Sequence, residues 1–307
     1  MRGMTRLLTV ALVLGGCSTQ TVPTDPDATL PPAPQASTTQ GTIPPVTTTA
    51  VAPPNTTQPE ALPPCLGGET PFTDSGLVAT LGTGVGDAAS IGSVRWEAHE
   101  GCERIVVELL TEDGAPSGSV GESSVAFRPD QGIIRIDLPV SATGVADASI
   151  EGDLAERVFV VRTPQGDLSV EVHLGTADPI VVRASEVGEP ARLVVDIARS
   201  EDGTGRIVGP VVEDNVVLVA PAPGPARYPL QISGYARTFE ANVVARLVVD
   251  GAIAGTVSTT AADWLEAWGE FTMSFESGPP GDVTLVVGEV NAADGRFVGA
   301  AIRLQMP

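Results

Sequence analysis

The residue types needed for covalent or acid–base chemistry are sparse in this 307-residue chain. All 17 of its basic residues are arginine, with no lysine anywhere. That removes the Ser-x-x-Lys nucleophile, Schiff-base chemistry and the lysine of a phosphate-binding P-loop together. Two imidazoles remain, His99 and His173. Neither has the His-Glu-x-x-His spacing of a zinc hydrolase, and no serine stands in a Gly-x-Ser-x-Gly elbow. Gly82-Thr83-Gly84-Val85-Gly86 lacks the spacing of a dinucleotide loop, and no helical pattern follows it, so it reads as a surface loop. The acidic pairs Glu201-Asp202 and Glu213-Asp214 have no calcium-loop spacing and read as solvated turns. The expectation is no catalytic residue, no metal and no cofactor.

Two groups of residues point to structure or binding. Cys65 and Cys102 are an even pair once Cys17 is set aside, and in an oxidising compartment the default is a disulfide. Closing a loop of about 38 residues is worth roughly 4 kcal/mol in the chain-entropy estimate. The competing reading, a reactive thiol, would need a His partner and an electropositive niche, whereas Glu100 and Glu103 flank Cys102. Trp264 and Trp268 are four residues apart. On a local helix they would share one face and form a platform for a sugar or a partner protein. The plainer reading has Trp268 plugging a core and Trp264 covering its rim. Phe239 reads as core filling, with Glu240 tying down a loop.

The elements that must position these residues differ along the chain. Arg2 and Arg6 precede the apolar run Leu7–Leu14, which is too short for a membrane span of ~20 residues and reads as a secretory signal peptide. Residues 18–64 hold twelve Pro and twelve Thr and no aromatic residue. They cannot bury a core and read as a disordered tether, with a reach of about 40 Å as a coil and about 145 Å as polyproline helix. From Cys65 onward, Val- and Ile-rich runs alternate with Gly, Pro and Asp, as in Arg104–Leu109, Gly132–Leu138, Val158–Val161, Leu168–Leu174 and Arg192–Ile197. These are strand signals, and no helical period interrupts them. After residue 205, seven further short strands follow, with hairpin turns at Asp250-Gly251 and Asp294-Gly295. The fold class is therefore all-β: two β-sandwich-type domains in tandem after the tether. The formal charge of −21 becomes −23 when Arg2 and Arg6 leave with the leader, which disfavours nucleic acid and anionic lipid as partners.

Three resemblances add to this reading. Leu14-Gly15-Gly16-Cys17 resembles the lipobox of bacterial lipoproteins. It implies cleavage before Cys17, lipid (diacylglyceryl, palmitate) on the Cys17 thiol, and an extracytoplasmic protein anchored to the cell membrane. Gly101–Glu108 and Arg192–Asp196 resemble the first and closing strands of the AMIN-like domain of envelope lipoproteins, with Cys102 in place of the usual aromatic. Pro229–Val243, Gly269–Phe271 and Glu289–Gly295 resemble the immunoglobulin-like domain of bacterial spore germination proteins. The implied organisation is signal peptide 1–16, lipidated Cys17 and tether 17–64, AMIN-like domain 65–205 and immunoglobulin-like domain 216–307. The implied function is a non-catalytic binding module of the cell envelope for wall polymer, the alternative being an accessory protein-interaction subunit of a wall-processing or germination-type complex.

Overall fold

A computed structural model describes residues 64–67, 70–201 and 207–307. The signal peptide, Cys17 and the tether lie outside the described residues.

Strands β1 (Gly76–Leu81), β2 (Ser90–His99), β3 (Cys102–Leu110), β4 (Ser123–Arg128), β5 (Ile133–Leu138) and β6 (Ala142–Thr143) open the first half. Strands β7 (Asp147–Ser149), β8 (Ala155–Arg162), β9 (Leu168–Leu174), β10 (Ile180–Val187) and β11 (Arg192–Arg199) complete it. The second half has β12 (Val211–Glu213), β13 (Val216–Ala220), β14 (Gly224–Pro225), β15 (Leu230–Ala236) and β16 (Asn242–Val249). It ends with β17 (Ala252–Thr260), β18 (Trp268–Phe275), β19 (Gly281–Val290) and β20 (Phe297–Met306). The only helical feature among the described residues is a 3-10 turn at Phe239–Ala241.

In the first sandwich, the sheet β10-β11-β3-β2-β6 faces β1-β4-β5-β9-β8. Alternate residues meet between them, with Ile105, Val107 and Leu109 opposed to Ile134, Ile136, Val170 and Val172, as the two-residue period of strands requires. In the second sandwich, β14-β20-β19-β16-β17 faces β18-β15-β13-β12 around Ile232, Leu247, Phe271, Leu285 and Ile302. The Asp250-Gly251 hairpin is formed between β16 and β17, and both turn residues have positive φ (51° and 80°), the requirement of a type I′ turn.

The two sandwiches share a sheet. β18 pairs in parallel with β8 through Trp268–Val161 and Gly269–Arg162, which makes one ten-stranded sheet from both halves. His173 on β9 and Tyr235 on β15 lie three strand spacings apart, about 14 Å in a flat sheet. Their ring centroids are nevertheless 5.8 Å apart. The sheet therefore folds sharply at the two-residue β8–β18 junction and its outer faces close on each other. Phe159, Val161, Val217, Tyr235 and Trp268 fill the seam as a third apolar cluster.

Cys65 and Cys102 are disulfide-bonded, so the thiol reading of Cys102 is withdrawn. The bond ties the start of the described chain to the first residue of β3. Beneath it lies a buried ion cluster. Arg104 reaches Asp196 through two bonds of 2.6 and 3.0 Å, and Arg183 donates to the same carboxylate at 2.7 Å and to the Cys65 carbonyl.

Candidate functional site

Two places concentrate polar or aromatic chemistry: the seam between the sandwiches and one end of the second sandwich. At the seam, β9 alternates Leu168, Val170, Val172 and Leu174 with Ser169, Glu171 and His173. Its apolar side faces the first core, and its polar side is buried as well. Burial pushes the Glu171 carboxyl up to about 7, against the pull of Arg135, which donates to it at 2.9 Å. Arg135 is shared with Asp137 at 2.7 Å and Glu270 at 3.7 Å. Burial lowers the His173 imidazole to about 3, helped by Arg157, so it is neutral. Its Nε2 meets the Tyr235 hydroxyl, whose own ionisation burial pushes well above the ordinary range. The Trp268 indole N–H donates to Asp147 at 3.1 Å. His173 and Trp268 bond across the seam to Tyr235 and Asp147, and Glu171 bonds Arg135 within the first sandwich, while His173 Nδ1 and Arg157 Nε have no hydrogen-bond partner among the described residues; the arrangement joins the two halves as a clasp.

The end of the second sandwich is different because it displays apolar surface. After β15 the chain passes through the 3-10 turn, where Glu240 and Ala241 both have positive φ (53° and 58°). Two adjacent non-glycine residues in that region cost of order 1–3 kcal/mol each and persist only when the surroundings enforce them. The enforcement comes from Ala241 N–H to Thr238 O (3.0 Å), Ala261 N–H to Ala241 O (2.9 Å) and Phe239 N–H to the Glu289 carboxylate (2.8 Å). Asn215 holds Glu289 from the other side at 3.1 Å. The turn turns Phe239 outward, so that 58% of it is exposed. The expectation that Phe239 fills the core is corrected, and the loop is tied down by Glu289 rather than by Glu240.

Phe239 stands edge-on to Trp264, ring centroids 5.7 Å apart, and Leu265 beside Trp264 is 65% exposed. Residues 261–267 form bends rather than a helix. The two indoles consequently share no helical face. Trp268 is 4% exposed inside the seam, whereas Trp264 is half-buried on the rim of the second core. Asp263 shapes this loop. Burial pushes its carboxyl up, but Arg162 and the N–H groups of Leu265 and Trp264 together bring it below its ordinary value. Arg162 donates to it at 2.7 Å from the first sandwich, so the loop bearing Leu265 is braced against the seam. Leu265 had no signal in the sequence beyond its place between two tryptophans.

The remaining sequence candidates have structural roles. Gly82 and Gly86 lie against Gly121, where a Cβ would come within 1.8 and 2.5 Å of backbone atoms, so the glycine-rich stretch packs against a neighbouring loop. Asp87, just beyond it, is held below the usual carboxylate range by the Ser117 hydroxyl and the N–H groups of Gly118 and Ser119. His99 contacts Glu97 at 3.4 Å on the surface. Among the described residues, no group of three or more His, Cys, Asp or Glu is arranged to hold a metal ion.

No curated protein and no solved structure matches the chain. Residues 215–296, which hold the Phe239 turn, the Trp264 loop and most of the second sandwich, match the family described as the immunoglobulin-like domain of bacterial spore germination.

Proposed function

We propose that this protein is an extracytoplasmic lipoprotein, held to the cell membrane through lipid on Cys17. Residues 18–64 serve as its tether, and the fused sandwiches act as a non-catalytic interaction module of an envelope complex. The AMIN-like reading of residues 65–205 and the germination-type match of residues 215–296 both support an accessory role. The observation that carries the reading is the patch of Phe239, Trp264 and Leu265. Two of its members are more than half exposed on loops that strain and ion pairs hold rigid, and a rigid apolar anchor of this kind suits a protein partner. Its rings meet edge to face, so the two do not form one flat platform.

A wall-polymer ligand is the second reading. It is favoured by a polar groove of about 690 Å³ lined by Asp250, Asp282, Thr284, Arg303 and Gln305.

Incubating the full chain with purified peptidoglycan separates the two. The protein-partner reading expects flow-through, together with crosslinking of an envelope protein that Phe239→Ala weakens about 30-fold, the scale of a hot-spot loss of ~2 kcal/mol. Retention on peptidoglycan that Arg303→Ala abolishes would give the site to the polymer instead. Failure of labelled palmitate to enter the wild-type protein would remove the anchor.

A further inference from the structure

Most sheet edges in this chain are protected. β6 and β14 have two residues each, β12 has three, and β14 contains Pro225. β1 is bulged between Leu77 and Ala79. β10 carries Arg183 and Glu186 and is closed by Thr73, which exchanges two 2.8 Å backbone bonds with Val182. Beyond its short pairing with β8, β18 is framed by Glu270 and Glu276. These are the devices by which sheets avoid unwanted strand pairing.

β17 has almost none of them. It runs nine residues, Ala-Ile-Ala-Gly-Thr-Val-Ser-Thr-Thr, without a charge or a proline, and most of them are exposed. Among the described residues it pairs with β16 alone. Its one irregularity, near Ile253–Gly255, leaves Thr256–Thr260 in regular register. The N–H and C=O groups on the side away from β16 form no ladder among the described residues, and β18 approaches the strand there, fastened to its continuation by the Ala262 N–H to Glu270 O bond at 3.0 Å.

We infer that a partner protein adds an extended, basic segment as a strand to this edge, with an apolar residue at its end seated on the Phe239–Leu265 patch; this rests on the protein-partner reading above. The edge and the patch are continuous. Thr260 leads directly into the loop of Trp264 and Leu265, and the Ala261 N–H to Ala241 O bond fastens that junction to the Phe239 turn. Main-chain pairing supplies affinity in such complexes and side-chain pockets supply selectivity. The charge of the segment follows from its host. The chain carries −21, with Asp250 exposed at one end of the edge and Glu240 at the other, where Glu266 is paired with Arg162 and Arg237 donates to the Leu265 carbonyl, while the edge itself is neutral. A field of this sign draws in a cationic segment and repels a second copy. A nine-residue strand is only about 30 Å long, too narrow for the roughly 800 Å² per partner of a stable dimer.

The test uses the full chain and a labelled nine-residue peptide alternating Arg and Val and ending in Phe. Its control replaces alternate Val residues by Pro, at the same charge. The alternating peptide is expected to bind at least tenfold tighter and to slow hydrogen exchange of amides within Thr256–Thr260. Successive strand residues direct their N–H groups to opposite edges, so of Thr256→Pro and Val257→Pro one removes a bond to β16 and the other a free donor. The variant that keeps the wild-type melting temperature should weaken the peptide about tenfold. Ser258→Lys, on the exposed face with the ladder intact, should weaken it too by setting like charges across the new pair. Equal binding of both peptides, no binding of either, or binding without protection of β17 overturns strand addition. A dimer in sedimentation that the silent proline variant abolishes assigns the edge to a second copy and also overturns it. Each of these leaves the protein-partner reading to stand or fall on Phe239→Ala and crosslinking.

Discussion

Trp268→Ala is the substitution that most directly tests the folded-sheet architecture. Trp268 is 4% exposed and lies edge-on to Phe159 at 4.9 Å and to Tyr235 at 6.3 Å, bridging the first sandwich to the second. Truncating a buried tryptophan to alanine costs about 3–5 kcal/mol, from lost transfer energy and the cavity left behind. The indole N–H bond to Asp147 disappears as well, but that carboxylate keeps Arg157 at 2.9 Å and is not orphaned. For a folded part of this size, each kcal/mol moves the melting point by about 2–4 °C, so the expected fall is about 6–20 °C. The two main cores contain no atom of Trp268. Scanning calorimetry should therefore show one transition in the wild type, which broadens or divides in the variant as the sandwiches lose their shared seam. Trp264→Ala is the comparator. Trp264 is only half-buried at a rim, and its loss should cost about 1–2 kcal/mol and leave the single transition intact. A Trp268→Ala variant within about 1 kcal/mol of wild type, or one less damaged than Trp264→Ala, would refute the seam as the joint between the halves.

Other outcomes follow from the buried polar groups. Asp196 answers both Arg104 and Arg183 from the interior; Asp196→Ala leaves buried positive charge without that partner and should cost about 3–5 kcal/mol in urea unfolding. Reducing the Cys65–Cys102 bond, or replacing both cysteines by Ser, should cost about 2–4 kcal/mol, read as a melting shift with and without reductant. For pH dependence, Glu171 is raised to about 7 in the fold, so its contribution is fullest below its unfolded value near 4.5 and is lost as pH rises through 7. His173 is depressed to about 3, so its contribution is present above 6.5 and is lost as pH falls through 3. The two oppose each other between about pH 4.5 and 6.5, where these groups predict a flat stability maximum. Glu171→Gln should therefore turn the plateau between about pH 4.5 and 6.5 into a rise of up to about 3 kcal/mol, remove the small fall between about 6.5 and 7, and leave the limb below about pH 4.5 unchanged; a profile that stays flat across the plateau would show that Arg135 keeps Glu171 ionised.

The strand pattern was legible because its signals are local. Val- and Ile-rich alternation placed β3, β5, β8, β9, β11 and the strands from β13 to β20, apart from the two-residue β14, and Asp250-Gly251 announced its turn by the positive φ that both positions require. The cysteine pairing was legible from counting. The seam was not, and β9 shows why. Leu-Ser-Val-Glu-Val-His-Leu alternates as a strand with one wet face does, yet all seven residues are buried, because the sheet folds at β8–β18 and lays that face against Tyr235. A Glu and a His on such a strand look like surface residues until a distant Tyr and Arg are known to meet them. The helical face expected of Trp264 and Trp268 failed for a related reason. Four-residue spacing carries helical meaning only where both positions lie in one helix, and here Trp268 already belongs to β18 while Trp264 lies in the bends before it. The loop closes on the strand through Ala262 N–H to Glu270 O, and the two indoles part, Trp268 into the joint and Trp264 to the rim. The aromatic surface left outside is Phe239, and nothing in the sequence distinguishes it from a core residue, because a strained turn leaves no periodic mark.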